Sequence, residues 1–467
     1  MLRHFKLLHY LLVLLLLHSC SEVTNLSQSS AISDPLPPST PETNTLYTTM
    51  QWETSSPAEE GMDSALLDTA FNNAFADDTF TQAGIVIRNE RIVYEQYRGI
   101  TASEKQILID QEVPNEITEE YDFRDEYSLT SSWSVAKSFL SILIGIAIDK
   151  GLIPSIESLA SDYIYEWEND ARAQIKIKDL LNMRSGLEPL CRDNEDYSNP
   201  VPIVCTSFPS SGGDLLLVSD MTGECINREI ADVGVIQPWY TDSFAWEEGY
   251  FLYINCDSQV LGKILERAVG IDLETFAEIN LFSKIGLDNY WWSDSTGNHT
   301  AYCCLDATAR DFAKFGQLVL NFGMWGNEQI VSRSYINKII SIYPTYIPTE
   351  RGSSYAYGMQ FWTFSFPITQ PDGTEFPTYP IYSAIGFDGQ YVIIDFEQNM
   401  VIVRNSLYFP WIKTGERTLS PVGDLMTEVN VPMTLPNAMG IPIYFDRSTF
   451  LYEVHTVSYT HLRAHET

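Results

Sequence analysis

The stretch Trp133–Phe139, WSVAKSF, opens a long apolar segment that Gly151 can end. Its Ser134 and Lys137 stand three residues apart, so in a helix they share one face, about one turn apart. The Leu and Ile residues that follow have the spacing of a largely buried helix. A hydroxyl and an amine held close together on such a rigid element are a nucleophile with a built-in base.

The positions of the histidines narrow the choice of base for such a serine. Six of the seven lie in the first 18 residues or near the end of the chain, which leaves only His299 for the body of the protein. The sequence contains no Gly-x-Ser-x-Gly nucleophile elbow, the serine turn that works with a histidine base in α/β-hydrolases. We therefore expect a serine nucleophile in this chain to use lysine or tyrosine as its base. The role of His299 stays undecided.

Length and charge exclude some classes of protein. A chain of 467 residues can bury a sizeable core, and its 45% hydrophobic content fits a globular protein. Its 62 acidic and 28 basic side chains give a net charge of −34, which would repel nucleic-acid phosphates. We predict no nucleic-acid partner, and the sequence leaves the oligomeric state open.

The first 47 residues predict export. Residues 1–20 carry a basic start and the apolar run Leu11–Leu17, which is too short to span a bilayer and is typical of a signal peptide. The run ends at Cys20 in a sequence similar to the lipobox of bacterial lipoproteins, in which the cysteine is acylated; an ordinary signal peptide is the alternative. Residues 21–47, rich in Ser, Thr, Pro and Asn, predict a flexible tether. We expect a periplasmic or cell-surface lipoprotein that meets the membrane through its lipid anchor only.

The other cysteines predict disulfides. Without Cys20 six remain, an even number in an oxidising compartment, at positions 191, 205, 225, 256, 303 and 304. The one pairing that we predict is Cys191 with Cys205, which bracket a proline-containing loop. Metal binding is the weaker interpretation because no Cys-x-x-Cys pair is present. We predict no metal ion and no cofactor.

The pattern of strands and helices predicts an α+β fold. The segments Gly84–Arg88 and Arg91–Tyr97 alternate as a hairpin should, and Tyr391–Phe396 with Met400–Asn405 form a second candidate hairpin. Between them the periodicity is mostly helical, at 134–150, 177–184, 256–269, 272–284 and 308–322. We predict one antiparallel sheet built from both chain ends, with a helical domain inserted.

Domain limits follow from the same pattern. The folded domain is predicted over residues 48–453, with the helical part at about 134–375. Residues 191–250 lack periodicity and are predicted to be long loops. Residues 101–127, with many acidic side chains, are predicted to be a surface insertion that forms a solvated loop. Residues 457–467 resemble translated adapter sequence and are predicted to be a non-native tail.

Two motifs, in the same order along the chain as in a known family, indicate a resemblance to that family. The chain resembles the serine β-lactamase and penicillin-recognising superfamily, in its class C and esterase-like branch, over roughly residues 60–410. The family's Ser-x-x-Lys motif is matched by Ser134 and Lys137, and its Tyr-x-Asn motif by Tyr253 and Asn255. The WSVAKSF stretch and residues 303–312, CCLDATARDF, are most similar to the 6-aminohexanoate-dimer hydrolase-like subgroup. The resemblance implies a β-lactamase/transpeptidase-like fold and an acyl-enzyme formed on Ser134.

The resemblance also implies a role for further residues. Lys137 and Tyr253 would share the proton of Ser134, and Asn255 would orient the lysine and a substrate carbonyl. The oxyanion hole would use the backbone N–H groups of Ser134 and Gln390, with Gly389 beside them. The chain departs from the family at its third motif, where Phe387 stands in place of a lysine or histidine. That departure argues against recognition of a β-lactam carboxylate.

The resulting prediction is a serine hydrolase that cleaves a small-molecule amide or ester, like the 6-aminohexanoate-dimer hydrolases. A carboxylesterase is the first alternative, and a β-lactamase or D-alanyl-D-alanine carboxypeptidase the second. A non-catalytic cell-wall or ligand-binding protein, which uses the same cleft without turnover, belongs to a different class and remains a further alternative.

Overall fold

The structure is a computed structural model. It describes residues 52–457 except 111–117, 120, 188–214, 216–219, 231–252, 295, 342–346, 349–353, 366–367, 370–374, 377–379, 387–388, 408–417, 420–444, 446–449 and 452. All of the described residues belong to one compact unit, Tyr47–Thr467, whereas the other unit, Met1–Leu46, lies outside them. The predictions for Cys20, the pair Cys191–Cys205 and Phe387 also fall outside the described residues.

The elements are numbered in chain order. The helices are α1 Ser64–Ala74, α2 Ala102–Asp110, α3 Val135–Asp149, α4 Ile177–Leu181, α5 Met221–Ile226, α6 Asn255–Val269, α7 Leu273–Ala277, α8 Ser283–Ile285, α9 Ala309–Leu320 and α10 Arg333–Ile340. The strands are β1 Thr81–Arg88, β2 Arg91–Tyr97, β3 Leu129–Ser131, β4 Asn289–Trp291, β5 Ser293–Asp294, β6 Leu305–Thr308, β7 Met324–Trp325, β8 Glu328–Gln329, β9 Ile347–Pro348, β10 Ser354–Gly358, β11 Phe361–Ser365, β12 Ile368–Thr369, β13 Glu375–Phe376, β14 Ile381–Gly386, β15 Gln390–Asp395, β16 Met400–Ser406 and β17 Thr418–Leu419.

An eight-stranded antiparallel sheet forms the base of the fold. Its strand order is β2-β1-β16-β15-β14-β11-β10-β9. Strand β1 lies beside β16, with Ile85 opposite Val403 and Ile87 opposite Val401. The sheet is therefore built from both ends of the folded unit, and the predicted α+β class is confirmed. The β-branched side chains that fill these strands suit a pleated surface buried against other elements.

The turns and caps follow local sequence chemistry. Asn89 and Glu90, which join β1 to β2, have positive φ of 50° and 65°, as a two-residue hairpin turn requires. The Thr308 side chain accepts the N–H of Asp311 and so begins α9. Gly270, at φ 76°, ends α6 in the left-handed conformation.

The central helix α3 is almost entirely buried. Thirteen of its residues, from Val135 to Ala147, are buried. It packs against α6 on one side and against β14 and β15 of the large sheet on the other. Each large aliphatic side chain removed from water in this way contributes about 1.5–3 kcal/mol. The helix that carries Lys137 is therefore held rigidly between the sheet and the helical region.

Some segments differ from the predictions. Helix α2 lies within residues 101–127, which were predicted to be a solvated loop, because Glu104 is buried and its carboxylate binds the Arg98 guanidinium at 2.6 Å. Helix α5 lies within the predicted loop 191–250, where the disulfide Cys225–Cys256 joins it to α6. An ion pair in the first case and a disulfide in the second explain why an acidic or irregular stretch can be ordered.

The prediction that His299 is the only histidine in the body is wrong. His455 is 1% exposed, and its Nε2 lies 2.7 Å from Oδ2 of Asp395, at the end of β15. Val457, the first residue of the stretch predicted to be non-native, is also buried, whereas 458–467 lie outside the described residues. In the portion of the chain that is described, no helix has the length and apolar character needed to cross a membrane.

Candidate active site

Ser134 lies at the tip of a tight turn that leads into α3. The N–H of Val135 donates to the Ser132 carbonyl at 3.1 Å, and the N–H of Ala136 donates to the Trp133 carbonyl at 3.1 Å. Trp133 has a positive φ of 46°, a conformation that non-glycine residues rarely adopt and that is frequent at functional sites. The Ser134 side chain does not cap the helix. Its hydroxyl is therefore left for another partner.

That partner is Lys137. The lysine Nζ lies 2.9 Å from Ser134 Oγ and 2.8 Å from the carbonyl oxygen of Tyr302. Lys137 is only 1% exposed. Burial holds the pKa of the Lys137 amine well below its usual range, because the charged form loses its hydration. The structure thus brings the hydroxyl together with an amine that is poised to be neutral, as the Ser-x-x-Lys motif predicts.

Aromatic rings surround the amine. The ring of Tyr253 lies 5.1 Å from the lysine Nζ, and the ring of Tyr302 lies 5.5 Å from it. Tyr253 in turn contacts Tyr357 and Trp362, with ring centroids 5.4 Å away in both cases. The predicted Tyr253 is therefore brought next to Lys137, inside an aromatic wall that keeps water from the amine.

Asn255, the other residue of the second motif, is the first residue of α6. Its Oδ1 is buried and makes no hydrogen bond within the described ranges, so it can accept one from a bound molecule. Two residues further on, Asp257 is fully buried and accepts a hydrogen bond from Ser185 at 2.5 Å. Burial raises the pKa of Asp257 well above its usual range. The sequence analysis did not single out this carboxyl group.

The predicted oxyanion strand lies directly against the nucleophile turn. A Cβ on Gly386, the last residue of β14, would come within 2.3 Å of the Ser132 carbonyl oxygen. Gly386 is paired with Gln390, the first residue of β15. Only a residue without a side chain allows this close approach. Ser134 and the start of β15 therefore face the same small region.

Gly389 and Gln390 are fixed by contacts of their own. Gly389 has φ 88°, and its carbonyl accepts a hydrogen bond from Arg404 Nη1 at 3.0 Å. The Gln390 side chain is engaged by Asn405 and Ser406, at 3.1 and 3.2 Å from its Oε1. The side chain of Gln390 is therefore structural, and only its main chain is available to the site.

Sequence reasoning missed a glutamine that joins the surrounding elements. Gln360 lies in the turn between β10 and β11, at a positive φ of 62°. Its Nε2 donates to the Leu180 carbonyl at 2.9 Å, its Oε1 accepts from Ser258 at 2.7 Å, and its own carbonyl accepts from Ser138 at 2.6 Å. Gln360 thus ties α4, α6 and α3 to the sheet. No motif marked it, because each of these partners is distant in sequence.

His299 does not take part in this cluster through its ring. Its two ring nitrogens lie 3.8 and 3.5 Å from carboxylates of Glu266 and Glu274. Burial alone would lower the pKa of His299, but the two neighbouring glutamates stabilise its charged form more strongly and raise the pKa to about 9. His299 is therefore a charged structural residue at neutral pH. In the described portion no group of three or more His, Cys, Asp or Glu side chains is arranged to hold a metal ion.

The fold and this serine–lysine pair are typical of serine hydrolases with the β-lactamase/transpeptidase-like fold. The family model named beta-lactamase matches residues 82–418, and the chain belongs to this family. At the level of the family, the protein is thus a serine hydrolase.

Individual relatives are similar to this chain in sequence or in fold. The chain is 24% identical to the 6-aminohexanoate-dimer hydrolase of Paenarthrobacter ureafaciens over 335 residues, which is 71% of this chain and 73% of the relative. Among solved structures, the octameric penicillin-binding protein homologue from Pyrococcus abyssi matches with a TM-score of 0.51 and 17% identity, over 74% of each chain. EstCE1, a hydrolase with promiscuous acyltransferase activity, matches with a TM-score of 0.51 and 13% identity, over 75% of this chain and 94% of that one. Likeness at these identities concerns the fold.

Proposed function

We propose that the protein is an exported serine hydrolase that cleaves an amide or an ester through an acyl-enzyme on Ser134. The observation that carries the proposal is the 2.9 Å contact between Ser134 Oγ and the Nζ of a fully buried Lys137. A serine hydroxyl is a weak nucleophile and needs an adjacent base, and a lysine can be that base only when it is neutral. Burial supplies that condition, since no carboxylate of the described residues pairs with the Lys137 amine.

The reaction follows from the positions of these groups. The neutral amine of Lys137, with Tyr253 beside it, accepts the hydroxyl proton as Ser134 attacks the substrate carbonyl carbon. The backbone N–H groups of Ser134 and Gln390 stabilise the oxyanion of the tetrahedral intermediate, and each such donor contributes about 3 kcal/mol. The proton then passes to the leaving amine or alcohol. Water repeats the same steps on the acyl-enzyme, and Ser134 is regenerated.

The substrate class that we propose is a linear amide of the 6-aminohexanoate-oligomer type. The support is the relative from Paenarthrobacter ureafaciens, whose name gives that substrate, together with the WSVAKSF and CCLDATARDF segments. A carboxylester, or a β-lactam, is cleaved by the same chemistry. A purely ligand-binding protein would keep the cleft without turnover.

The enzymatic proposal is tested with the purified full-length chain. Turnover is measured on a linear 6-aminohexanoate dimer, a short-chain nitrophenyl ester and a cephalosporin, with Ser134→Ala beside the wild type. The matched control is Ser141→Ala, which removes a buried hydroxyl of the same helix that lies 3.3 Å from the Tyr335 hydroxyl. We expect turnover of the dimer that Ser134→Ala abolishes and Ser141→Ala retains. Turnover of none of the three substrates, or activity that survives in Ser134→Ala, refutes the proposal.

Export is tested separately. We propose that Cys20 is acylated and that residues 21–47 tether the domain to a membrane. A Cys20→Ser variant expressed in a bacterial host is expected to leave the membrane fraction. An unchanged membrane fraction in this variant would refute lipid anchoring at Cys20.

A further inference from the structure

One short segment contacts Lys137 and the turn that precedes Ser134. The Tyr302 carbonyl accepts a hydrogen bond from Lys137 Nζ at 2.8 Å. Three residues later, the Leu305 carbonyl accepts the N–H of Ser132 at 2.8 Å, and the Leu305 N–H donates to Ser132 Oγ at 2.9 Å. The segment Tyr302–Leu305 therefore holds the amine at one end and the turn that carries Ser134 at the other.

A disulfide between neighbouring residues occupies the middle of this segment. Cys303 and Cys304 are bonded to each other and are 1% and 0% exposed. Cys304 has a positive φ of 66°. The Cys303 carbonyl accepts a hydrogen bond from Thr300 Oγ1 at 3.1 Å, and the Cys304 carbonyl accepts the N–H of Trp292 at 3.0 Å. The main chain next to Tyr302 is thus constrained covalently and by hydrogen bonds.

We propose that the Cys303–Cys304 disulfide is a positioning element for Lys137, which it serves by fixing the direction of the Tyr302 carbonyl. This inference rests on the proposed function. A neutral primary amine has two N–H bonds and one lone pair. When the carbonyl accepts one N–H, the rotation of the amine is restricted, and its lone pair can be directed at the Ser134 hydroxyl. Such orientation of a base is a large part of catalysis by positioning.

The two disulfides of the described chain should differ in what they stabilise. The Cys225–Cys256 bond closes a loop with a sequence separation of 31 and joins α5 to α6. The Cys303–Cys304 bond has a sequence separation of 1 and encloses no loop. Because stabilisation by a disulfide grows with the length of the closed loop, the first should matter to folding and the second should matter little. For catalysis we expect the opposite: loss of the Cys303–Cys304 bond should matter more than loss of the Cys225–Cys256 bond.

The test compares Cys303→Ser/Cys304→Ser with Cys225→Ser/Cys256→Ser in the full chain. For the first variant we expect kcat on the preferred substrate to fall about 10- to 100-fold, with KM changed less than about twofold. We also expect the acid limb of its kcat/KM profile to move to higher pH, because water that reaches Lys137 relieves the burial that lowers its pKa. The second variant should lose thermal stability and keep the acid limb of the wild type.

Several outcomes overturn the inference. A Cys303→Ser/Cys304→Ser enzyme with wild-type kcat and an unmoved acid limb refutes it, as does alkylation of Cys303 or Cys304 in the denatured chain without reductant. If the double serine variant does not fold, Cys303→Ser/Cys304→Gly, in which glycine suits the positive φ, is measured by the same criteria. A wild-type chain that turns over no substrate refutes the proposed function and the inference with it. Loss of kcat in the variant alone supports the inference.

Discussion

Two regions of the molecule each bury a basic side chain, and the pKa of that side chain shifts in opposite directions. The nucleophile corner is the region around Lys137, and the histidine corner is the region around His299. At the nucleophile corner, Lys137 meets a hydroxyl and a carbonyl, and its pKa is lowered by burial. At the histidine corner, His299 meets Glu266 and Glu274, and its pKa is raised to about 9. Burial is common to both, so the difference lies in the partners.

The comparison separates a reactive base from a structural one. A carboxylate partner stabilises the charged form of a buried base, which then holds the fold together but has no lone pair to offer. A partner that is polar but neutral leaves desolvation uncompensated, and the base becomes neutral and able to accept a proton. In the proposed function Lys137 is of the second kind, whereas the raised pKa of His299 is that of the first.

The largest effect is expected when the Lys137 amine is removed from the nucleophile corner. Lys137→Met keeps the apolar stem and removes the amine, so kcat/KM should fall at least about 10³-fold, or about 4 kcal/mol. Thermal stability at neutral pH should stay equal or rise, because an apolar group replaces a desolvated amine that has no ionic partner among the described residues. Steady-state kinetics and thermal melts check both parts.

Lys314→Met is the matched control for that substitution. Lys314 is also buried, but its Nζ lies 2.8 Å from Oδ1 of Asp311. Removal of the amine leaves a buried carboxylate unpaired, so unfolding free energy should fall by about 3 kcal/mol while kcat stays within about twofold of the wild type. If the Lys137→Met enzyme is as active as the Lys314→Met enzyme, the prediction that Lys137 acts as a base and Lys314 only as a structural residue is wrong.

The second prediction concerns the histidine corner, where a rise in pH removes the charge of His299 and the stability that this charge contributes. A pKa of about 9 in the folded chain, above the usual 6.5, means that the His299 contribution is fully present below about pH 6.5 and is lost as the pH rises through 9. The stability difference between wild type and His299→Gln should therefore shrink by about 3 kcal/mol from pH 6 to pH 9.5. Chemical denaturation at the two pH values measures it. A difference that does not depend on pH, or a loss of kcat in His299→Gln, would contradict the structural role.

The third prediction concerns geometry at the nucleophile corner. Gly386→Ala places a methyl group 2.3 Å from the Ser132 carbonyl oxygen, so strand β14 must move away from the turn. We expect kcat to fall about tenfold, or about 1.4 kcal/mol, because the reacting groups lose alignment. Gly316→Ala, whose Cβ would meet Val401 Cγ1 at 2.5 Å in the core, is the control. It should cost stability and leave kcat unchanged, and equal kinetic losses in both variants would refute the prediction.

Local sequence patterns predicted the contact between Ser134 and Lys137 and the two hairpins of the sheet. Ser134 and Lys137 came together because an i, i+3 spacing on one helix fixes the distance between them. The two hairpins were predictable because alternation sets the face of each side chain. Tyr253 was singled out by the family's Tyr-x-Asn motif, and it lies next to the lysine although 116 residues separate the two in sequence.

The rest depended on long-range contacts that no local pattern encodes. The Tyr302 carbonyl belongs to the main chain and carries no residue signature, and Gln360 binds partners about 100 to 220 residues away. His455 was missed because its partner, Asp395, lies 60 residues earlier, at the end of a strand. The acidic stretch of α2 was mistaken for a loop because Glu104 is buried against Arg98, a residue just before the helix whose pairing no helical or strand periodicity marks.

The central claim is that Lys137 is a neutral base for Ser134, and the rate of Ser134 modification by a fluorophosphonate tests it most directly. The rate is measured against pH in wild type and in Lys137→Met, with the modified residue located by mass spectrometry. We predict that the wild-type rate rises through an apparent pKa well below the usual 10.5 of lysine and then levels off, and that Lys137→Met reacts at least about 100-fold more slowly. A wild-type rate that keeps rising beyond pH 10.5, or a Lys137→Met enzyme modified as fast as the wild type, would contradict the claim.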